Sequence, residues 1–264
     1  MKRSIVALCA LGVGLVPPGA ALAHGPIFSF SPHTEYKHSY EYSLGYDRDA
    51  LSGANLDNYF AEFKYGITSD WTIGAALPFR TGTPVGAGDA VLKTKYRFWR
   101  RAALGELSSL TVLGSLKLDT ARDRVGTGST DSTVALAYGY ESIKWYRWAS
   151  VGYRYNGVGH DGLRRGGTRF FNVAGGWRVN RPDYDKPDLV LLTEINAEIA
   201  GRARRNGQAV ADSGGTEVFV SPGMILTYKQ LAFRPGVQIP IYHDLNSHQP
   251  KTDYRVQLEV EMHF

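Results

Sequence analysis

Lys93, Lys95 and Arg97 occupy alternate positions of one short segment. On an extended strand that spacing lines three cations along a single face. Arg154, Arg178, Arg234 and Arg255 fall in the same phase of later segments, and Glu62, Glu194, Glu198, Glu259 and Glu261 supply the opposite charge. Where such faces enclose a lumen, opposed rows create a transverse field that filters polar solutes. Where the lumen is narrow, the same residues pair across it and close it. These twelve residues are the candidate lining of a pore, and both readings follow from one pattern.

Other residues suggest other chemistry. His24, His33 and His38 lie close to Glu35 and Glu41 and offer ligands to a transition metal, although their spacing matches no defined site. A loosely ordered plug or leader on the periplasmic side is the plainer reading of that segment. His243 and His248 with Asp244 pose the same question with the same answer. In Asn246-Ser247-His248, adjacent Ser and His on a strand would point to opposite faces and make a poor nucleophile–base pair, a limit that a loop would relax. No phosphate-cradling glycine loop or paired catalytic carboxylate stands out. The expectation is a protein with no catalytic residue, no metal and no cofactor.

The elements that must carry the charged rows are strands. Tyr254, Val256, Leu258, Val260, Met262 and Phe264 alternate with Arg255, Gln257, Glu259, Glu261 and His263, so one face is apolar and the other charged. The same alternation runs through Tyr40–Tyr46, Tyr59–Ile67, Trp71–Phe79, Ala90–Phe98, Leu110–Leu118 and Val134–Tyr140. It continues through Val151–Tyr155, Phe171–Val179, Leu189–Ile199, Val218–Leu226 and Leu231–Ile241, giving twelve segments in all. An even number returns both chain ends to one side of a membrane. Short connections at Thr68–Asp70, Ser142–Lys144 and Tyr228–Gln230 alternate with long Gly-rich ones at Arg80–Asp89, Asp119–Ser132, Asn156–Gly167, Gly201–Thr216 and His243–Thr252. That asymmetry fits periplasmic turns and outer loops. Asn180–Pro187 and Arg100–Leu107 are long for periplasmic turns. Pro78, Pro222 and Pro240 belong at strand ends or bulges, and Gly66, Gly74, Gly114 and Gly139 mark bends or close approaches.

Lys2 and Arg3, the apolar run Ile5–Val16 and Ala21-Leu22-Ala23 form a secretory signal peptide, expected as residues 1–23, with a barrel over 24–264. The one cysteine, Cys9, lies in the signal, so the exported chain has no disulfide. The formal charge of +5, two less without Lys2 and Arg3, is too small to argue for nucleic acid. Sixteen Tyr and 30 Gly suit a β-protein with aromatic belts and tight turns. A soluble sandwich or lipocalin-like barrel would show the same periodicity with its faces reversed. The signal peptide, the terminal Phe and the aromatics near strand ends favour the membrane. The sequence thus predicts an all-β, twelve-stranded antiparallel up-and-down transmembrane β-barrel in the bacterial outer membrane, in contact with outer-membrane lipid.

A series of phrases supports a closer comparison. They are Tyr65-Gly-Ile-Thr68, Leu77-Pro-Phe79, Gly86-Ala-Gly-Asp-Ala-Val-Leu-Lys-Thr-Lys-Tyr-Arg-Phe98, Lys117-Leu-Asp-Thr120, Gly126-Thr-Gly-Ser-Thr-Asp131, Gly214–Gly223 and Pro235-Gly-Val-Gln-Ile-Pro240. Their order over nearly the whole exported chain resembles the outer-membrane barrel family labelled MetA-pathway of phenol degradation, often called simply "transporter". One departure is Leu118-Asp-Thr-Ala121, where the family commonly has Leu-Pro-Thr-Gly. The resemblance implies passage of small, often hydrophobic or aromatic solutes across the outer membrane. A non-conducting structural or assembly barrel with a periplasmic protein partner is the alternative, and a lipid-modifying barrel enzyme the third reading.

Overall fold

The computed structural model describes residues 25–122 and 125–264; the expected signal peptide, with Cys9, and His24 lie outside the described residues. Twelve long strands make the molecule: β1 Tyr40–Leu51, β2 Ala54–Thr68, β3 Trp71–Thr81, β4 Val91–Ala103, β5 Glu106–Lys117 and β6 Asp131–Ser142, then β7 Trp145–Tyr155, β8 Thr168–Arg178, β9 Asp188–Ala200, β10 Gly215–Tyr228, β11 Leu231–Leu245 and β12 Thr252–His263. Each pairs antiparallel with its chain neighbours. β1 also pairs with β12, from Glu41↔His263 to Leu51↔Thr252, so the ring is closed and no sheet edge is left open. The four short strands Gly86–Ala87, Leu163–Arg164, Arg204–Arg205 and Gln208–Ala209 lie in the loops.

Alternation along each strand sorts the side chains as the sequence predicts. Trp71, Ile73, Leu77 and Phe79 of β3 and Leu258, Val260 and Met262 of β12 all lie exposed on the outside. Glu62, Arg97, Glu194, Arg234, Glu259 and Glu261 lie buried on the inside. An apolar band of this extent fits lipid rather than water.

The two ends differ. Tight turns at 69–70, 104–105, 143–144 and 229–230 lie at one end with the start of β1 and the end of β12. All the long loops except 179–187 lie at the other. Arg100–Leu107, expected to be a rather long connection, is strand as far as Ala103, and Gly105 at φ +74° closes a two-residue turn. Of the prolines, Pro240 sits at a bulge of β11 as expected, while Pro78 and Pro222 lie inside β3 and β10 rather than at strand ends. Each falls at a break in a ladder. β3 pairs with β4 only as far as Ala76, the β10–β11 register skips Ser221 and Pro222, and Pro240 faces Phe219 at a bulge. A missing N–H is tolerated at such breaks.

Candidate functional site

The lumen is not empty. The segment 25–36, ahead of β1, runs inside the ring and is bound to opposite walls. Glu194 of β9 accepts hydrogen bonds from Ile27 N at 2.5 Å, Phe28 N at 3.1 Å and Ser29 Oγ at 2.5 Å. Arg234 of β11 donates to Pro26 O at 2.7 Å and Gly25 O at 3.3 Å. Across the ring, Thr111 of β5 donates to Pro32 O at 2.6 Å and Lys95 of β4 to His33 O at 3.3 Å. Thr72 Oγ1 of β3 accepts from Glu35 N at 2.8 Å. An irregular backbone can be buried only if its polar groups are paired, and the wall supplies those partners.

The wall also supplies space. A Cβ on Gly139 would come 2.7 Å from Pro32, one on Gly152 2.7 Å from Phe30, and ones on Gly223 and Gly236 2.5 and 3.1 Å from Ile27. These glycines form a groove into which the segment fits. Phe30 meets Phe170 edge-on at 5.7 Å. The sequence assigns the segment to a loosely ordered periplasmic plug. It is instead seated in the lumen, because single inward positions on many strands are shaped to hold it.

All twelve charged residues singled out from sequence lie on the inward phase, but they do different things. Glu194, Arg234 and Lys95 hold the inner segment. Glu259 and Glu261 pair with Arg234, the former at 3.2 Å. Arg97 pairs with Asp70 at 2.9 Å, and Arg178 with Asp188 at 3.0 Å, both at the turn end. Arg255 pairs with Glu198 at 2.7 Å near the loop end, and Arg154 stacks over Phe170 at 4.9 Å. Glu62 and Lys93 pair at 2.6 Å and line an open space. That space, about 400 Å³, lies between the inner segment and the β1–β6 wall, where Phe30, Phe60, Leu113 and Val91 join Asp47 and Lys93.

His33 and His38 do not come together: His38 bonds the Tyr65 hydroxyl at 2.9 Å on the surface. Glu35 and Glu41 instead meet His263 of β12, with ligand atoms all within 4.8 Å. Lys64 occupies Glu41 at 2.5 Å. Burial pushes the Glu35 carboxyl up to about 7; Glu41 adds to this, and Lys64, His263 and Lys95 oppose it. Burial and the neighbouring Lys95 pull the His33 imidazole down to about 3, so it stays neutral across this range. Glu35 therefore favours the docked segment while protonated. Its contribution is complete below the ordinary carboxylate range and is lost as pH rises through about 7. Hydrogen-exchange protection of residues 26–36, corrected for intrinsic rates, should fall between about pH 5 and pH 8, and Glu35→Gln should flatten that fall. The same pH profile in both proteins would refute this assignment.

At the loop end Lys117 bridges Asp89 and Asp131, each at 3.0 Å. Burial alone would raise the Asp89 carboxyl, but hydrogen bonds from the backbone of Thr127 and Ala121, together with Lys117, hold it below the usual range. Through these bonds Asp89 ties Ala121 and Thr127 of the connection between β5 and β6 to the start of β4. Sequence reasoning missed this network, along with Thr72, Thr111 and the accommodating glycines Gly152, Gly223 and Gly236. For the glycines the signal was available: each sits in the inward phase of its strand.

No protein-family model and no curated protein matches this sequence. Solved structures do match. The COG4313 outer membrane channel from Pseudomonas putida F1 superposes with a TM-score of 0.72 at 14% identity, over 90% of this chain and 100% of that one. The beta domain of the Bordetella autotransporter BrkA gives 0.46 at 10% identity, over 87% and 100%. OmpT of Vibrio cholerae gives 0.36 at 8% identity, over 86% and 100%. The expectation of a barrel without enzymatic activity does not stand. OmpT is among the matched barrels, and what this chain shares with the Pseudomonas channel at 14% identity is the fold, which leaves catalysis open. Ser247 and His248 also differ from the strand expectation: Ser247 at φ +57° turns the chain, and its Oγ lies 3.3 Å from His248 Nδ1. The MetA-pathway label finds no match, whereas the closed ring and the Pseudomonas channel agree on architecture. The chain has the fold of a twelve-stranded outer-membrane β-barrel.

Proposed function

We propose that the protein resides in the bacterial outer membrane, turn end to the periplasm, and passes a small solute with a hydrophobic or aromatic body. The observation that carries this is the 400 Å³ space beside the inner segment, where Phe30, Phe60 and Leu113 stand beside Asp47, Lys64, Lys95 and the Lys93–Glu62 pair. A chamber that sets aromatic and aliphatic side chains against placed charged groups suits a compact molecule with an apolar body and a polar substituent. The fold likeness to an outer membrane channel supports the reading. The seated segment narrows the lumen and favours slow, selective passage over bulk flow; it is also what the alternative, a structural barrel, would require.

Refolded protein in planar bilayers and liposomes should show small single-channel currents and faster uptake of phenol than of a hexose. No current and no flux of either solute, also after deletion of residues 25–36, would reject transport. Lys93→Gln removes the cation hydrogen-bonded to Glu62 and leaves one more negative charge on the wall of the space. One uncompensated charge within about 4 Å of the path is worth ~1 kcal/mol in a water-like medium, so the K⁺ to Cl⁻ permeability ratio should rise about fivefold. An unchanged ratio would place Lys93 off the path.

A further inference from the structure

Two loops at the loop end are fastened to each other. Loop 156–167 carries Leu163–Arg164, and loop 201–214 carries Arg204–Arg205 and Gln208–Ala209; the three form one small antiparallel sheet. Gly201 N donates to Gly167 O at 2.9 Å and Asn206 N to Gly162 O at 3.2 Å. A Cβ on Gly166 would run into the Gly201 backbone. This backbone-to-backbone packing fixes the positions of Arg164, Arg165, Arg202, Arg204 and Arg205, all exposed.

In that sheet Arg204 stands directly opposite Arg164. Like charges facing each other across an antiparallel pair repel, and the protein offers little to offset it. Among the described residues Arg205 has Asp161 at 3.4 Å, both exposed, and Arg202 has only the Asn246 amide at 3.4 Å. Arg164 lies over the Tyr155 ring at 5.4 Å, and Arg165, Arg169 and Arg204 form no ion pair among the described residues. Arg48 is a useful contrast: it also faces outward near the loop end, but Asp57 meets it at 2.7 Å.

The level of this cluster on the barrel matters. Tyr153 and Tyr155 face outward at the loop end of β7, and Arg169 is the cross-strand partner of Tyr153. Below Arg169 an open apolar groove on the outer wall is lined by Val112, Val134, Leu136, Val151 and Phe171. An aromatic belt with unpaired guanidinium groups above it and a groove of acyl-chain character below it matches a lipid at the interface. The planar guanidinium fork matches phosphate oxygens.

We propose that this rim binds a phosphorylated saccharolipid of the outer leaflet, its phosphate between Arg164, Arg169 and Arg204 and an acyl chain along the groove under Arg169. The proposal rests on the outer-membrane placement given above. The bound anion would cancel the Arg164–Arg204 repulsion and join the two loops more firmly.

The full barrel, refolded in phosphatidylcholine vesicles and moved to nanodiscs, tests this with lipid A as the probe and native mass spectrometry as the readout. The wild type should retain lipid A, and the Arg164→Gln, Arg169→Gln, Arg204→Gln triple variant should bind it about tenfold or more weakly. Arg48→Gln should bind as the wild type does, and dephosphorylated lipid A should bind weakly to all three. Equal retention by the wild type and the triple variant would overturn the proposal. So would retention of the dephosphorylated lipid, or full displacement of lipid A by millimolar inorganic phosphate. Heat-modifiable gel mobility reports insertion separately. Failure of the wild type to insert would remove the outer-membrane reading and the proposal with it, while insertion without lipid A retention would remove the proposal alone.

Discussion

Glu194→Ala should release the inner segment from the lumen and raise single-channel conductance several-fold without unfolding the barrel. Glu194 is 1% exposed and accepts from two backbone N–H groups and one hydroxyl of that segment. Its loss leaves the buried Ile27 donor and the half-buried Phe28 and Ser29 donors without an acceptor, at a cost of about 1–3 kcal/mol for the first and less for the others. A total of ~3 kcal/mol shifts docking by about two orders of magnitude. The remaining anchors are Arg234 to Gly25 O and Pro26 O, Thr111 to Pro32 O, Lys95 to His33 O and Glu35 N to Thr72 Oγ1, so release is expected first at residues 27–29. The ring depends on none of this, because its ladders are backbone to backbone, so heat-modifiable mobility should persist. Thiol labelling of Ser29→Cys in the Glu194→Ala background gives an independent measure, and it should become fast. Wild-type conductance together with wild-type labelling would show that Glu194 does not hold the segment.

The second large effect concerns the outer wall. Leu136 lies mid-strand on β6 facing outward, with Val112 and Val151 as its cross-strand neighbours. In lipid, Leu136→Arg should cost about 2–4 kcal/mol of unfolding free energy, whereas Tyr254→Arg near the loop end should cost about 0–1. In water the two would be alike, because both positions are already exposed and surface changes stay within about 0.5 kcal/mol. Urea unfolding in phosphatidylcholine vesicles measures the difference. Equal costs at the two depths would reject a membrane-spanning wall.

The ring was readable in the sequence because its rule is local. A period of two repeats in every strand, and it survives at the twelfth, where Tyr40 and Phe264 exchange backbone hydrogen bonds and stack at 5.4 Å. The inner segment obeys no period. Gly25-Pro26-Ile27-Phe28 reads as a polar-free linker, and its partners are isolated residues far along the chain, Glu194 being 167 positions from Ile27. No spacing rule connects such pairs. The charged rows were legible as a face but not as separate parts, because which Glu meets which Arg depends on register around the ring. Arg97 shows the limit: a bulge after it and the nearby turn give it Asp70 as a partner rather than the open lumen. The Ser247–His248 contact falls under the loop condition stated for it, since a left-handed residue turns the chain there and the strand limit does not apply.

The seam between β1 and β12 bears on how the molecule is made. The anchors of the inner segment on β9 and β11 do not exist until most of the chain has been delivered to the membrane. A plugged state therefore cannot precede the late strands. Once Tyr40 and Phe264 zip the seam, the segment has one way in or out, through the periplasmic mouth. Assembly order thus becomes a matter of timing: the segment is either enclosed as the seam shuts or threaded in afterwards, and only the first route keeps the new ring from ever standing open.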